Sequence, residues 1–146
     1  MIAVDTNLLV YAHRVDADFH LPALAALKSL AQSGARWTVP WPCVHEFLAI
    51  VTHPRIFVPP SPVNVALDAV AVWLASPSCQ PIGEGPEYFG VLRRLATQGK
   101  CAGPAVHDAR IAALCLHHGV KELWTCDRDF SRFGGLRVRN PLSEKS

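Results

Sequence analysis

Short apolar runs alternate with longer segments along the whole chain. The first run, residues 1–4, is apolar without alternation, which is typical of a buried strand in a parallel sheet. Further short runs of similar kind recur between the longer segments and predict the other strands. The five predicted strands are MIAV at 1–4, RWTV at 36–39, CQPI at 79–82, ELWTC at 122–126 and LRVRN at 136–140.

The longer segments predict helices, because proline stands near their starts and glycine or proline near their ends. Pro22 lies early in one segment and Gly34 closes it, while Pro42 opens another that ends before Pro54. A proline-rich stretch at 54–62 predicts a loop. The predicted helical segments are residues 6–13, 20–35, 40–53, 63–76, 85–100 and 103–119.

This alternation predicts the α/β class, with βαβ units around a parallel sheet. Ligands of such sheets bind beyond the carboxyl ends of the strands. Asp5 directly follows the first predicted strand, and Asp127 and Asp129 follow the end of ELWTC. We therefore expect these acidic residues, distant in sequence, to lie at the same edge of the sheet.

Two more acidic residues lie in apolar surroundings. Glu46 has Cys43, Ala49 and Ile50 at three- and four-residue spacing on a predicted helix. Asp108 likewise has alanines and a cysteine on its side of a helix. Buried carboxylates that lack partners cost several kcal/mol, roughly. A divalent metal ion would satisfy Asp5, Glu46, Asp108 and Asp127 together.

Each acidic residue also has an ordinary structural interpretation. Asp5 is a possible N-cap of the helix that begins at Thr6. Asp108 has arginines nearby to pair with, Glu46 can lie at a helix edge in water, and Asp127 suits a turn. For any one of these acids, a structural role is more probable than a role as metal ligand. That all four acids have only structural roles is harder to accept.

Carboxylate oxygens alone favour Mg²⁺ or Mn²⁺ over zinc. A magnesium site of few carboxylates keeps open positions, which suits a phosphate substrate. The glycine-rich phosphate-binding patterns GxxxxGK[ST] and GxGxxG are both absent from the sequence. The pattern therefore favours phosphodiester hydrolysis over nucleotide transfer.

The composition sets the wider limits. The 146 residues predict one domain over 1–146, and 50% hydrophobic with 18% charged residues is typical of a globular protein. The net charge of +2 does not by itself indicate nucleic-acid binding. Five widely spaced cysteines predict reduced thiols. With no visible leader and no apolar stretch of membrane length, we expect a cytoplasmic protein.

Four fragments occur in order along the chain: VDTNLLVYA, HEFLAIV, GPAVHDARIAA and WTCDRDF. Together they resemble the PIN-domain ribonucleases, specifically the VapC-type toxins of bacterial and archaeal toxin–antitoxin pairs. The resemblance covers nearly the whole chain. It implies a three-layer α/β/α sandwich around a central parallel sheet and an endoribonuclease that depends on Mg²⁺ or Mn²⁺. It also implies an RNA substrate, a cognate antitoxin and a homodimer.

The resemblance assigns roles to individual residues. The family's catalytic acids fall on Asp5, Glu46, Asp108 and Asp127, of which Asp5, Asp108 and Asp127 are the implied metal ligands. Supporting positions fall on Thr6, Asn7, Thr125 and Asp129, and Asp129 is less uniformly a ligand. Near these acids, the residues that we expect to contact RNA phosphates are Arg110, Arg128 and Arg132.

The predicted helices at 21–33 and 42–52 are apolar over more of their circumference than one buried face requires. We expect a groove between them, with Leu24, Leu27 and Leu48 in its walls, to hold the antitoxin. The competing function is a non-catalytic α/β interaction module whose acids are structural. A phosphotransferase with Asp5 as nucleophile needs a second acid two residues on, where Asn7 stands.

Overall fold

The computed structural model describes residues 1–143, in which four short strands form one parallel sheet in the order β2-β1-β3-β4. Ile2 lies between Trp37 of β2 and Glu122 of β3, and Trp124 pairs with Arg139 of β4. The strands are β1 (Ile2–Val4), β2 (Trp37–Thr38), β3 (Glu122–Trp124) and β4 (Arg137–Arg139).

Helices connect the strands as the sequence predicts. They are α1 (Thr6–His13), α2 (His20–Gln32), α3 (Trp41–Val51), α4 (Val63–Ala75), α5 (Tyr88–Gln98) and α6 (Ala105–His117), with a 3-10 helix at Arg128–Arg132. Pro42 lies in the first turn of α3, where its missing N–H has no partner to lose. Gly119 follows α6 with φ of 72°, a conformation that favours glycine.

The direction of the connections places the helices in two layers. Helices α1 and α2 lead from β1 outward to β2, and α3 and α4 lead further outward to the segment 79–82. Helices α5 and α6 return across the sheet to β3. Right-handed crossovers in opposite directions put α1–α4 on one face and α5–α6 on the other. The predicted three-layer α/β/α arrangement is confirmed.

The predicted strand at 79–82 is wrong as a ladder strand. It forms only two single bridges, Trp37 with Cys79 and Pro40 with Ile82. Pro81 has no N–H, and Pro40 interrupts the partner chain in the same way, so a continuous ladder is impossible there. The segment still marks the edge of the sheet beyond β2.

One hydrophobic core lies between the layers and fixes the strands. Trp37, Phe47 and Leu114 are fully buried within it, together with Leu9 and Leu123. These side chains come from β2, α3, α6, α1 and β3, so every layer contributes to the core. Within residues 1–143, no helix is both long and apolar enough to cross a membrane.

Candidate active site

The site lies where the connections of the sheet change direction. Strands β1 and β3 are neighbours, but the chain leaves β1 toward β2 and leaves β3 toward β4. Ligands of parallel sheets bind in the crevice that this change of direction opens at the carboxyl ends. Asp5 follows β1 there, and its N–H donates to the carbonyl of Trp124 at 2.9 Å. The predicted edge and the observed crevice coincide.

The carboxylate of Asp5 is buried and accepts three hydrogen bonds. The backbone N–H of Thr6 donates to Oδ1 at 2.8 Å, and the thiol of Cys43 donates to the same oxygen at 3.5 Å. The hydroxyl of Thr125 donates to Oδ2 at 2.7 Å. Asp5 is therefore the N-cap of α1, as the ordinary interpretation predicts, and also the most buried acid of the site.

The hydroxyl of Thr125 connects the ends of β1 and β3. Besides donating to Asp5, it accepts the N–H of Asp127 at 3.0 Å and the amide of Asn7 at 3.4 Å. The side-chain oxygen Oδ1 of Asn7 accepts a hydrogen bond from the N–H of Cys126 at 3.4 Å. Both lone pairs of this hydroxyl are thus used. Through it, the positions of Asp5 and Asp127 are fixed relative to each other.

Helices α3 and α6 bring the remaining acids to the same place. Glu46 is partly exposed at the edge, where the hydroxyl of Thr6 donates to it at 3.3 Å. Asp108 is half-buried in the first turn of α6. A cavity of about 140 Å³ lies between them, and its walls are Asp5, Thr6, Asn7, Glu46, Ile50, Asp108, Ile111 and Asp127.

Asp129 is nearer to the centre than its supporting role suggests. One carboxylate oxygen each of Asp108, Asp127 and Asp129 lie within 4.8 Å of one another. Asp129 reaches this position because the carboxylate of Asp127 accepts its N–H at 2.8 Å and starts the 3-10 helix. The structure therefore brings all five predicted acids into one crevice.

Crowding and burial perturb these acids. Burial, opposed by three hydrogen bonds, raises the pKa of Asp5 above its usual value. Burial and then the charge of Asp5 raise the pKa of Glu46. Burial, followed by the charges of Asp127, Asp5 and Asp129, raises the pKa of Asp108 to about 6. Asp5, Glu46 and Asp108 therefore hold a proton to a higher pH than free carboxyl groups do as long as no cation compensates their charges.

The residues fit a divalent cation. The atoms around the cavity that are able to bind a metal are oxygens. Several carboxylates converge there within a few ångströms of one another. Such hard oxygen donors match Mg²⁺ and Mn²⁺, and one ion would offset the mutual repulsion that raises the pKa of Asp108. The three predicted ligands, Asp5, Asp108 and Asp127, all line the cavity.

The three predicted RNA-contacting arginines have different surroundings. Arg110 pairs with Glu84 at 2.8 Å and lines a cavity of about 470 Å³ beside the acids. Arg128 lines another cavity, of about 400 Å³, on the side of Asp127. The charge of Arg132 opposes the rise in the pKa of Asp108, so Arg132 is electrostatically coupled to the acidic centre.

Sequence reasoning missed two residues near the acids. His107 lines the larger cavity together with Glu46, and its charge lowers the pKa of that acid. Its position next to Asp108 was the available signal. Cys43 donates to Asp5 from α3, and burial followed by the charge of Asp5 raises the pKa of its thiol well above the usual range. The sulfur therefore keeps its proton.

The expected apolar groove is in a different place. A groove of about 340 Å³ lies between α2, α4 and the end of α1, whereas we expected one between α2 and α3. Leu24 and Leu27 line it as predicted, but Leu48 does not, because α3 packs against α1 and α4. The remaining walls come mainly from Ala69, Val72 and Trp73 of α4.

Comparison with known proteins agrees with this architecture. The PIN domain family matches residues 2–136. Ribonuclease VapC48 of Mycobacterium tuberculosis is 32% identical over 139 residues, which covers 95% of this chain and 96% of the relative. Ribonuclease VapC31 of the same organism is 34% identical over 143 residues, covering 97% of this chain and 100% of the relative.

Solved structures show the same fold. The chain matches VapC20 of Mycobacterium tuberculosis, described as a sarcin-ricin loop cleaving toxin, with a TM-score of 0.69 and 17% identity, over 96% of this chain and 100% of that chain. It matches VapBC2 of Rickettsia felis, bound to a promoter DNA fragment, with a TM-score of 0.69 and 18% identity, over 96% and 98%.

The chain therefore belongs to the PIN-domain family. Within that family, its relatives over nearly the full length are VapC ribonucleases, the group that the four sequence motifs predict. The predicted resemblance is confirmed.

Proposed function

We propose that this chain is a metal-dependent endoribonuclease and the toxin of a type II toxin–antitoxin pair, acting as a single domain. The observation that carries the proposal is the cavity at the end of β1 and β3, where Asp5, Glu46, Asp108 and Asp127 meet. The names of its relatives, which are ribonucleases, support the same reaction. A cytoplasmic location is part of the proposal, because an RNA substrate and a toxin's role both call for it.

Asp5, Asp108 and Asp127 are the proposed ligands of Mg²⁺, for which Mn²⁺ can substitute. A divalent ion bound there supplies electrophilic stabilisation of the phosphate and activation of water. Thr6 and Thr125 orient the carboxylates of Glu46 and Asp5 through their hydroxyls. These hydroxyl contacts hold the acids in place before substrate binds, which is the condition for efficient electrostatic catalysis.

Glu46 has a separate role in the proposal. It is not among the proposed metal ligands, and burial together with the charge of Asp5 raises its pKa. A carboxylate with a raised pKa is a more effective proton acceptor near neutral pH. We assign Glu46 to accept a proton from the attacking water, with the Thr6 hydroxyl holding it at the edge of the cavity.

The proposal also includes macromolecular partners. RNA phosphates approach the acids past Arg110 and Arg128, which line cavities beside the acidic centre, and past Arg132, whose charge acts on Asp108. A cognate antitoxin occupies the apolar groove between α2 and α4. The homodimer implied by the family remains part of the proposal, and sedimentation of the purified chain tests it.

Substitution of Asp5 by asparagine tests the reaction. The change keeps the side-chain size and its acceptor oxygen for Thr6, but removes the charge that a cation needs. We expect Mn²⁺-dependent cleavage of an RNA panel to fall at least about 100-fold, the lower end of the range for loss of one key electrostatic group. Asp68→Asn, an exposed acid on α4, is the control and keeps full activity.

Two results would contradict the proposal. Full activity of the Asp5→Asn variant would remove Asp5 from the reaction. Absence of metal-dependent cleavage by the unmodified chain on every RNA would favour the competing function, a non-catalytic interaction module whose acids are structural. In such a module, Asp5 would serve only as the N-cap of α1.

A further inference from the structure

Hydrogen bonds from within residues 1–143 leave the Asp5 carboxylate one free acceptor position. An ionised carboxylate has about four lone-pair sites, two on each oxygen. The N–H of Thr6 and the thiol of Cys43 occupy both sites of Oδ1. The hydroxyl of Thr125 occupies one site of Oδ2. One lone pair of Oδ2 therefore remains for a ligand in the cavity that Asp5 lines.

We propose that Cys43 is a positioning residue, whose thiol fixes the Asp5 carboxylate so that Oδ2 is the oxygen left available where the divalent cation would bind. This inference rests on the proposed metal-dependent function. Without the thiol, Oδ1 regains a free lone pair, and the carboxylate can turn or offer either oxygen. Cys43 is fully buried in α3 and does not line the cavity, so it acts through Asp5 alone.

The location of Cys43 suits this role. It lies one helical turn before Glu46, so the same helix that brings the proton acceptor to the edge also brings a donor to the back of Asp5. The thiol–carboxylate contact therefore ties α3 directly to the end of β1. A rigid contact between these elements keeps two acids of the site in register, as partners behind metal ligands commonly do.

A set of three variants tests the inference. Cys43→Ala removes the donor, and Cys43→Ser restores one. Cys115→Ala is the matched control. Cys115 is as buried as Cys43 and lies in α6, whereas the donors to the Asp5 carboxylate are Thr6, Cys43 and Thr125. All three proteins are expected to fold, with similar losses of thermal stability in the two alanine variants.

The first readout is Mn²⁺ affinity, measured by isothermal titration calorimetry. Loss of a group behind a metal ligand commonly weakens binding by about 10- to 100-fold, and a thiol is a weak donor, so we expect roughly tenfold for Cys43→Ala. Cys43→Ser and Cys115→Ala should bind like the unmodified chain. Equal affinity of Cys43→Ala, or an equal loss in Cys115→Ala, would overturn the inference.

The second readout needs no metal. The N–H of Thr6 donates to the same oxygen as the thiol, so a turned carboxylate exposes this amide to exchange. We expect hydrogen exchange of the Thr6 amide, measured by NMR in EDTA, to be about tenfold faster in Cys43→Ala only. Unchanged exchange would overturn the positioning role. If the unmodified chain binds no Mn²⁺, the metal-dependent function fails, and this readout alone decides the positioning.

Discussion

At the scale of single residues, the site depends on one hydroxyl. Thr125 donates to Asp5 and accepts from Asp127 and Asn7, so its removal affects three buried or half-buried groups at once. Its hydrogen bond is also the largest of the effects that lower the pKa of Asp5. A second buried threonine, Thr38 in β2, has a hydroxyl without a hydrogen-bond partner among the described residues.

These two threonines give opposite predictions for the same substitution. Thr125→Val should lower the free energy of unfolding by about 3 kcal/mol, because each buried group left unpaired costs roughly 1–3 kcal/mol. Thr38→Val should raise it by about 1 kcal/mol, because a buried unpaired hydroxyl is replaced by a methyl group. Urea unfolding of both variants measures the difference. Equal effects of the two substitutions would contradict the role of Thr125.

Asp108 makes the stability of the metal-free protein depend on pH. Its pKa is raised from 3.8 to about 6 on folding, so between these values the folded chain holds more protons than the unfolded chain. Stability therefore falls as the pH rises from about 4 to about 6. Asp5 and Glu46, whose pKa values are also raised, act in the same direction.

The measurement compares melting temperatures of the unmodified chain and Asp108→Asn in EDTA across this pH range. The lowered pKa of His13 acts in the opposite direction, because burial favours its neutral form, but it is common to both proteins. The difference between the two curves isolates Asp108. We expect Asp108→Asn to gain stability relative to the unmodified chain as the pH rises, and parallel curves would contradict the raised pKa.

At the scale of elements, the sequence predicts the helices better than it predicts the strand at the edge of the sheet. Periodicity and proline place all six helices, since those signals act within a few residues. The segment 79–82 is predicted as a strand, but Pro81 breaks the ladder, and only the folded sheet shows which N–H groups are needed. The exposure of Glu46 was also left open by the sequence, because apolar neighbours at helical spacing do not show whether a residue lies at an open edge.

The apolar groove likewise depends on tertiary packing that the sequence does not show. Apolar faces on α2 and α3 are visible in the sequence, but which helix faces which depends on the crossovers. The structure puts α4 beside α2, so Val72 and Trp73 replace Leu48 in the groove wall. The apolar face of α2 and its leucines were predictable, whereas the second wall of the groove was not.

Val72 tests the groove because it is 70% exposed, so a charge there should leave the fold intact. Val72→Asp should weaken the complex with the co-expressed antitoxin at least about tenfold, since a charge buried against an apolar partner is costly. The control is Phe89→Asp on α5, which is 62% exposed on the opposite face. Equal loss of co-purification in both variants, or in neither, would contradict the groove.

At the scale of the whole molecule, the sheet order creates the site. Asp5, Glu46, Asp108 and Asp127 come from four separate parts of the chain, and only the return of α6 to β3 beside β1 brings them together. The sequence predicts that acids follow strands, but the neighbouring positions of β1 and β3 follow from tertiary packing. The unfolded chain consequently has no site of this geometry.

A cation that binds only the folded chain must stabilise it by mass action. At Mn²⁺ concentrations of about 100 times the dissociation constant, the gain is about 2.7 kcal/mol. For a domain of this size, each kcal/mol raises the melting temperature by about 3 °C, so we expect a rise of about 8 °C. Asp108→Asn should lose most of this rise, because it removes one charge from the cluster with Asp127 and Asp129. Asp68→Asn should keep it, since Asp68 is exposed on α4, away from the cavity. Calorimetry of the three proteins with Mn²⁺ and with EDTA decides the matter, and a rise that survives in Asp108→Asn would place the ion elsewhere.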